Sequence, residues 1–436
     1  MNSIKRVFAW FACASLVALV AVACGDGDAP AAGETAPPTA TERLAGATNT
    51  PGSNEPVEQV DSAEQDKPAE SGESGEQAAP TGTPRPTPEP TDHPADVSLA
   101  NGALDVYGID SWINSEPFTI ADKLTDNQVV LVDFWTYTCV NCLRTLPFLR
   151  EWYAKYADRG LVILGVHAPE FDFEKDYDNV SDAVEREGIG WPVALDNDHE
   201  TWRSFNNRFW PAKYLIGVDG QIAYQHFGEG AYVETEHAIR ETLTAAGWDV
   251  SDIPIGTIDS TRRDPAADRV TRELYGGYQR NYTSQGLYAG QEQYYLEADV
   301  TSEYVDNGVY TPQQWYLQGS WTNKREAIVH ARETSGLEDH IAFEFVGRSA
   351  NVVVDPVDPE PFDVFVEIDD RPLKPEEAGM DILFDDQGRS YFNVTEARLY
   401  AFLETPEFGE HIVKLAPNSD NFAIFAFTFG VYDGGF

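Results

Sequence analysis

The chain has 436 residues, with 30 Lys and Arg against 73 Asp and Glu, a formal net charge of −43. That length predicts two domains rather than one core. The negative excess excludes a phosphate backbone or an anionic membrane surface as a contact partner and fits a soluble, self-repelling surface.

Residues 1–23 read as an export signal, with Lys5 and Arg6 ahead of an apolar run from Val7 to Ala23. The run ends at Ala21-Val22-Ala23-Cys24-Gly25-Asp26. Small residues before a cysteine resemble a bacterial lipobox, in which Cys24 is lipidated and becomes the new N-terminus; Ala21 departs from the usual Leu. The alternative is an uncleaved membrane anchor, at the short end of a spanning helix. Either puts the remainder outside the cytoplasm. Residues 24–98 lack aromatic side chains and are rich in Pro, Thr and Glu, the composition of a disordered tether.

Folded sequence is expected over residues 99–249. Trp112-Ile113 and Phe118-Thr119-Ile120 suggest a short N-terminal hairpin. Val129 to Trp135 is an apolar, largely β-branched run fit for one buried strand, and it runs on into Cys139-Val140-Asn141-Cys142. A helix from about 140 to 157 follows, which Pro147 would kink or restart. Leu161 to Val166 is a second continuous apolar strand, Val180 to Gly188 a polar helix, and Pro192 to Leu195 a short strand. Lys213 to His226 forms a hairpin around Asp219-Gly220, and Val233 to Gly247 a closing helix. Residues 250–269 read as a linker. From 270 to 436 the pattern turns to period two. Trp315, Leu317 and Trp321 share one face, Ile341, Phe343 and Phe345 another, and Phe425, Phe427 and Phe429 a third. Half-buried strands without helices between them predict an antiparallel sandwich.

The Cys-X-X-Cys motif sits where a central strand passes into a helix. Free N–H groups and the positive dipole end there stabilise a thiolate, the species that attacks disulfides, and a second nearby thiol resolves the mixed disulfide. Zinc would need two more ligands, and the eight histidines include no close pair at H-x3-5-H spacing. Haem attachment needs His where Leu143 stands. A structural disulfide closing two residues would constrain little chain entropy. Loss of the signal removes Cys13 and lipidation occupies Cys24, which leaves Cys139 and Cys142 as the only thiols. No metal and no cofactor beyond this disulfide is expected.

Val132-Asp133-Phe134-Trp135 followed by Cys-X-X-Cys resembles thioredoxin. The longer string from Phe134 to Pro147, with Gly165 to Phe171 and Asn207 to Ile216, resembles the extracytoplasmic part of the DipZ family, whose thioredoxin unit is similar to TlpA-type proteins. In the later half, Gln318 to Trp321, Glu396 to Tyr400 and Ala426 to Gly430 resemble that family's carbohydrate-binding-module-like jelly roll. The resemblance implies a thioredoxin-like α/β fold followed by an all-β sandwich. It implies attack by Cys139, resolution by Cys142, and a cis Pro211 that faces the disulfide, with Trp210 and Trp135 positioning substrate. Asp133 lies in the buried strand. It is either satisfied by local hydrogen bonds or a desolvated carboxylate that accepts the resolving thiol's proton, and the resemblance favours the second. Glu170, just past the second strand, is a weaker candidate proton carrier. The multi-helix membrane domain of the family is absent from this sequence, which implies a separate membrane electron-transfer partner.

The expectation is therefore an exported, lipid-anchored thiol–disulfide oxidoreductase acting on protein thiols or disulfides. One alternative is a thiol peroxidase, because Thr136 and Cys139 form a T-x-x-C element, although Val132 stands where that motif has proline. Another is a surface glycan-binding protein with a non-catalytic thioredoxin scaffold. Alternation along the strand from Arg398 to Leu403 puts Arg398, Tyr400 and Phe402 on one side. If Leu399, Ala401 and Leu403 face the core, the other side is a candidate face for cell-wall glycan; the alternatives are that Tyr400 and Phe402 are themselves the core side, since aromatic stripes are more often core than ligand platforms, or that the domain only docks against the thioredoxin unit.

Overall fold

The computed structural model describes residues 104–256, 269–281, 287–335 and 337–431. The export signal, the tether and Cys24 lie outside the described residues. In chain order the first domain comprises β1 (Ser111–Ile113), α1 (Ile120–Thr125), β2 (Val129–Trp135), α2 (Val140–Tyr156), β3 (Leu161–His167), α3 (Tyr177–Arg186), β4 (Val193–Leu195), α4 (Glu200–Ser204), β5 (Ala212–Ile216), β6 (Ile222–Phe227) and α5 (Tyr232–Ala245). Its sheet has the order β1-β4-β3-β2-β5-β6. All seven residues of β2 are buried, which is why this stretch reads as an unbroken apolar run. Alternation sends Val130, Val132 and Phe134 to one layer, and Val129, Leu131 and Trp135 to the other, beneath α2. This is the thioredoxin-like α/β fold.

Two local expectations need correction. Trp112-Ile113 does not form a hairpin with Phe118 to Ile120. Instead β1 pairs antiparallel with β4, and Thr119 caps α1 by accepting from the Asp122 N–H. The capping box there selects helix over strand. Nor does Pro147 restart α2, which runs on across it as one helix. Pro147 is exposed, so its missing N–H lies on the solvent side, while Leu146, Phe148, Leu149 and Trp152 anchor the helix in the core.

Among the described residues the C-terminal domain is built of strands, with only the short α6 and single 3-10 turns at Glu292–Tyr295 and Pro375–Glu377 between them. Its elements are β7 (Leu274–Tyr275), α6 (Tyr278–Asn281), β8 (Thr301–Tyr304), β9 (Trp315–Asn323), β10 (Ile328–His330), β11 (His340–Pro356), β12 (Phe362–Ile368), β13 (Arg371–Pro372), β14 (Leu383–Phe384), β15 (Ser390–Val394), β16 (Arg398–Pro417) and β17 (Phe422–Gly430). The strands form one antiparallel array of 11. The long β11 and β16 break register near Gly347/Ser349 and Ala350/Asn351. Such bulges bend a sheet, and residues on both sides of the breaks, Phe343, Phe345, Val352 and Val354, reach the same core.

The candidate glycan face is inverted. Tyr400 and Phe402 are wholly buried and stack on Phe392 at 5.3 and 6.3 Å. Arg398 lies over the Tyr400 ring at 3.7 Å and bonds Asp381 at 2.8 Å. The opposite side is buried as well, because Leu399 packs with Val140 and Phe171 of the first domain. Arg398, Tyr400 and Phe402 therefore do not form an exposed ligand platform. Phe402→Ala should cost about 3–5 kcal/mol of stability, the range for emptying an aromatic core site. Denaturant unfolding measures it, and an exposed ring would cost close to nothing.

Candidate active site

The last turn of chemistry before α2 is built by the strand beneath it. β2 delivers Asp133 and Trp135 to the α2 side, and four residues later Cys139 caps the helix. Its Sγ accepts the Cys142 N–H at 3.2 Å, which satisfies one of the donors a helix start leaves open. Cys139 is half-buried and Cys142 is 1% exposed; both are free thiols. Burial, followed by the hydrogen bond and charge of Cys139, pushes the Cys142 thiol well above its ordinary value.

Asp133 is 2% exposed, and its Oδ1 has no hydrogen-bond partner among the described residues. The carboxylate is thus desolvated rather than locally satisfied. Burial pushes it up to about 7, against the pull of the Lys213 charge. Lys213 faces Asp133 across the antiparallel β2–β5 pairing and is fully buried, with no hydrogen bond to Nζ among the described residues. Burial lowers its pKa, and the Asp133 and cysteine charges oppose that. Sequence reading missed Lys213 as a site residue. The signal was present, since it falls inside Ala212 to Ile216, a strand whose every residue is buried.

A second buried carboxylate was also missed. Glu174 accepts from the Thr138 hydroxyl and from the Phe171 N–H at 3.0 Å, and burial pushes it up to about 7. It ties the residue before Cys139 to the loop after β3. Glu170, the candidate proton carrier, instead accepts from the Tyr275 hydroxyl at 3.0 Å and pairs with Arg280 at 2.9 Å, both in the C-terminal domain. It nevertheless lines the same cleft as Cys139.

The Trp210–Pro211 peptide is cis. The Trp210 indole donates to the Ala168 carbonyl at 2.9 Å and packs tilted against Trp202 at 4.3 Å, and Trp210 shares the Cys139 cleft. Trp135 is a correction. It is 1% exposed and packed edge-on against His167 at 5.3 Å, so it supports the site from below and does not touch substrate. Thr136 is equally buried, its hydroxyl 3.3 Å from His167 Nε2. Burial holds His167 down to about 3, hence neutral. Among the described residues no group of three His, Cys, Asp or Glu side chains is placed to hold a metal ion.

Comparison with known proteins agrees with this architecture. The Redoxin family matches residues 113–240, and the thioredoxin-like C-terminal domain family matches residues 271–430. Protein DipZ of Mycobacterium tuberculosis is 39% identical over 197 residues, 44% of this chain and 28% of that protein. The chain therefore aligns with little more than a quarter of DipZ. The thiol-disulfide oxidoreductase YkuV of Bacillus subtilis is 28% identical over 126 residues, 29% of this chain and 82% of that protein. A crystal structure of a thiol-disulfide isomerase from Corynebacterium glutamicum is 20% identical, covering 34% of this chain and 99% of that one, with a TM-score of 0.30.

Replacing Asp133 by Asn should change stability in a pH-dependent way. The folded carboxyl titrates near 7 against an ordinary value of 3.8. The native state thus holds a proton that the unfolded chain releases, so Asp133 lowers stability progressively as pH rises from about 4 to about 7. Asp133→Asn should match the parent at pH 4 and exceed it by about 1–3 kcal/mol at pH 8. Urea unfolding at the two pH values checks this, and a constant difference would contradict it.

Proposed function

We propose that this chain, which carries a Redoxin-family domain and is similar to DipZ over 197 residues, is a thiol–disulfide oxidoreductase. The observation that carries the reading is the asymmetry of the two thiols: Cys139 is accessible at the cap of α2, and Cys142 is buried on the face that also carries Asp133. The Cys139 thiolate attacks a substrate disulfide, forms a mixed disulfide and expels one substrate thiolate. The Cys142 thiol then gives its proton towards Asp133, which ionises or protonates near neutral pH. Its sulfur attacks Cys139 Sγ, closing the Cys139–Cys142 disulfide and releasing the second substrate thiol. Two electrons pass from the protein to the substrate; the reverse sequence oxidises a dithiol. Lys213 buffers the charge on Asp133 from the opposite strand, so the proton acceptor is not an isolated buried anion.

The setting proposed for this chemistry is extracytoplasmic, with the chain held to the membrane by lipidated Cys24 and a tether, and with electrons supplied by a separate membrane protein. Its support is the sequence of residues 1–98. Among the described residues no helix is long and apolar enough to cross a membrane. Compounds carrying reactive thiols or disulfides, proteins among them, are the broad substrate class.

Cys142→Ser should accumulate a mixed disulfide through Cys139, visible by mass spectrometry after incubation with a disulfide substrate, whereas Cys139→Ser should accumulate none. In the reduced parent, Cys139 should be alkylated about tenfold or more faster than Cys142 at neutral pH, because access and thiolate character set thiol reactivity. Equal rates would remove the assignment of roles.

A further inference from the structure

Cys139 does not open onto a free surface. It lines a cleft of about 290 Å³ whose facing wall is supplied by the C-terminal domain, with Tyr275, Arg280 and Thr428 opposite Thr138, Cys139 and Trp210. The walls are held together on one side by Phe425, which packs on Phe171 at 5.1 Å and on Phe173 at 4.7 Å. The Glu170–Arg280 pair at 2.9 Å and the Arg186–Glu396 pair at 3.2 Å span the same boundary. A cysteine carried on a folded protein surface would have to part these contacts to reach Cys139. The space available is at the bottom of the range of small-ligand pockets, roughly 300–1,000 Å³.

The charges inside the cleft are of both signs. Arg280 stacks on the Tyr275 ring at 4.5 Å. Glu273 is accessible within the cleft although protein surrounds it, and its carboxylate shares the Tyr275 hydroxyl with Glu170, at 2.9 and 3.0 Å. One guanidinium with five N–H donors and two carboxylates thus border the reactive thiol, a set that can pair both ends of a zwitterion.

We propose that the disulfide admitted to Cys139 is a low-molecular-weight one bearing α-amino and α-carboxyl groups, of the cystine type, recognised by Arg280 and Glu273 of the C-terminal domain. This rests on the thiol–disulfide reading above and names its substrate. The step balances. Cys139 attacks one sulfur of cystine and releases one cysteine; Cys142 attacks Cys139 Sγ and releases the second. The protein dithiol becomes a disulfide and cystine becomes two cysteines, the two thiol protons passing to the departing thiolates.

The test uses the full chain, fully reduced, with three oxidants: cystine, the uncharged bis(2-hydroxyethyl) disulfide and a folded disulfide-bonded protein. Each rate is divided by that of dithiothreitol with the same oxidant, which cancels differences in leaving-group reactivity. Cystine should show the highest ratio, about tenfold above the uncharged disulfide, as expected for one charge-assisted hydrogen bond. Arg280→Gln and Glu273→Gln should each lower the cystine ratio more than the uncharged one, and Arg280→Lys should recover part of the loss. A cystine ratio no higher than that of the uncharged disulfide, or a higher ratio for the folded protein, would overturn the inference while leaving the oxidoreductase reading in place. Reaction with none of the three would overturn both.

Discussion

A carboxylate buried in the central strand is the constraint on which the rest of the site depends. β2 has no exposed residue, so Asp133 lies where water cannot solvate its charge, on the face covered by α2. Taking a charge out of water costs several kcal/mol unless it is compensated. Here the compensation is Lys213, an equally buried residue across the pairing with β5. The pair lets a proton reside under the thiols near neutral pH. It requires that β2, β5 and α2 meet in one register, since a one-residue slip in either strand would turn one partner to the other layer. The same register delivers Cys139 to the helix cap and leaves Cys142 beneath it.

What the sequence made legible was local. The apolar run of β2, the Cys-X-X-Cys at its end and the hairpin after Pro211 each declare themselves within a dozen residues, and together they define the thioredoxin-like order. Asp133 was legible because a carboxylate in such a run is rare. Lys213 carried the same kind of signal in a shorter strand. Glu174 carried none: Phe171-Asp172-Phe173-Glu174-Lys175 has the composition of a solvated loop, and only the fold places its carboxylate under Thr138. The face of β16 stayed open in the sequence for a physical reason. Alternation tells which residues share a side, and identifies the core side only where the other side meets water. In β16 both sides are covered, Tyr400 and Phe402 by the domain's own core and Leu399 by the first domain.

The contact between the domains changes what the first domain can do. In isolation, a half-exposed thiol at a helix cap is open to any disulfide that diffuses to it. With Phe425 seated against Phe171 and Phe173, and Glu170 held by Tyr275 and Arg280, the loop after β3 is fixed to the second domain. Glu174 in turn fixes that loop to Thr138, next to the attacking cysteine. Chemistry and enclosure therefore share one short segment, Glu170 to Glu174, and neither can be rearranged without the other.

The central claim is that Cys139 and Cys142 form a reversible two-electron redox pair. Equilibration of the full chain in dithiothreitol or glutathione buffers of graded potential, followed by acid quench and mass measurement, tests it most directly. The account predicts one reversible transition between dithiol and intramolecular disulfide, with a midpoint within roughly −120 to −270 mV, the span of thioredoxin-like redox pairs. A disulfide that resists reduction to below about −300 mV, as structural bridges do, or thiols that form no bond with each other across that span, would contradict it.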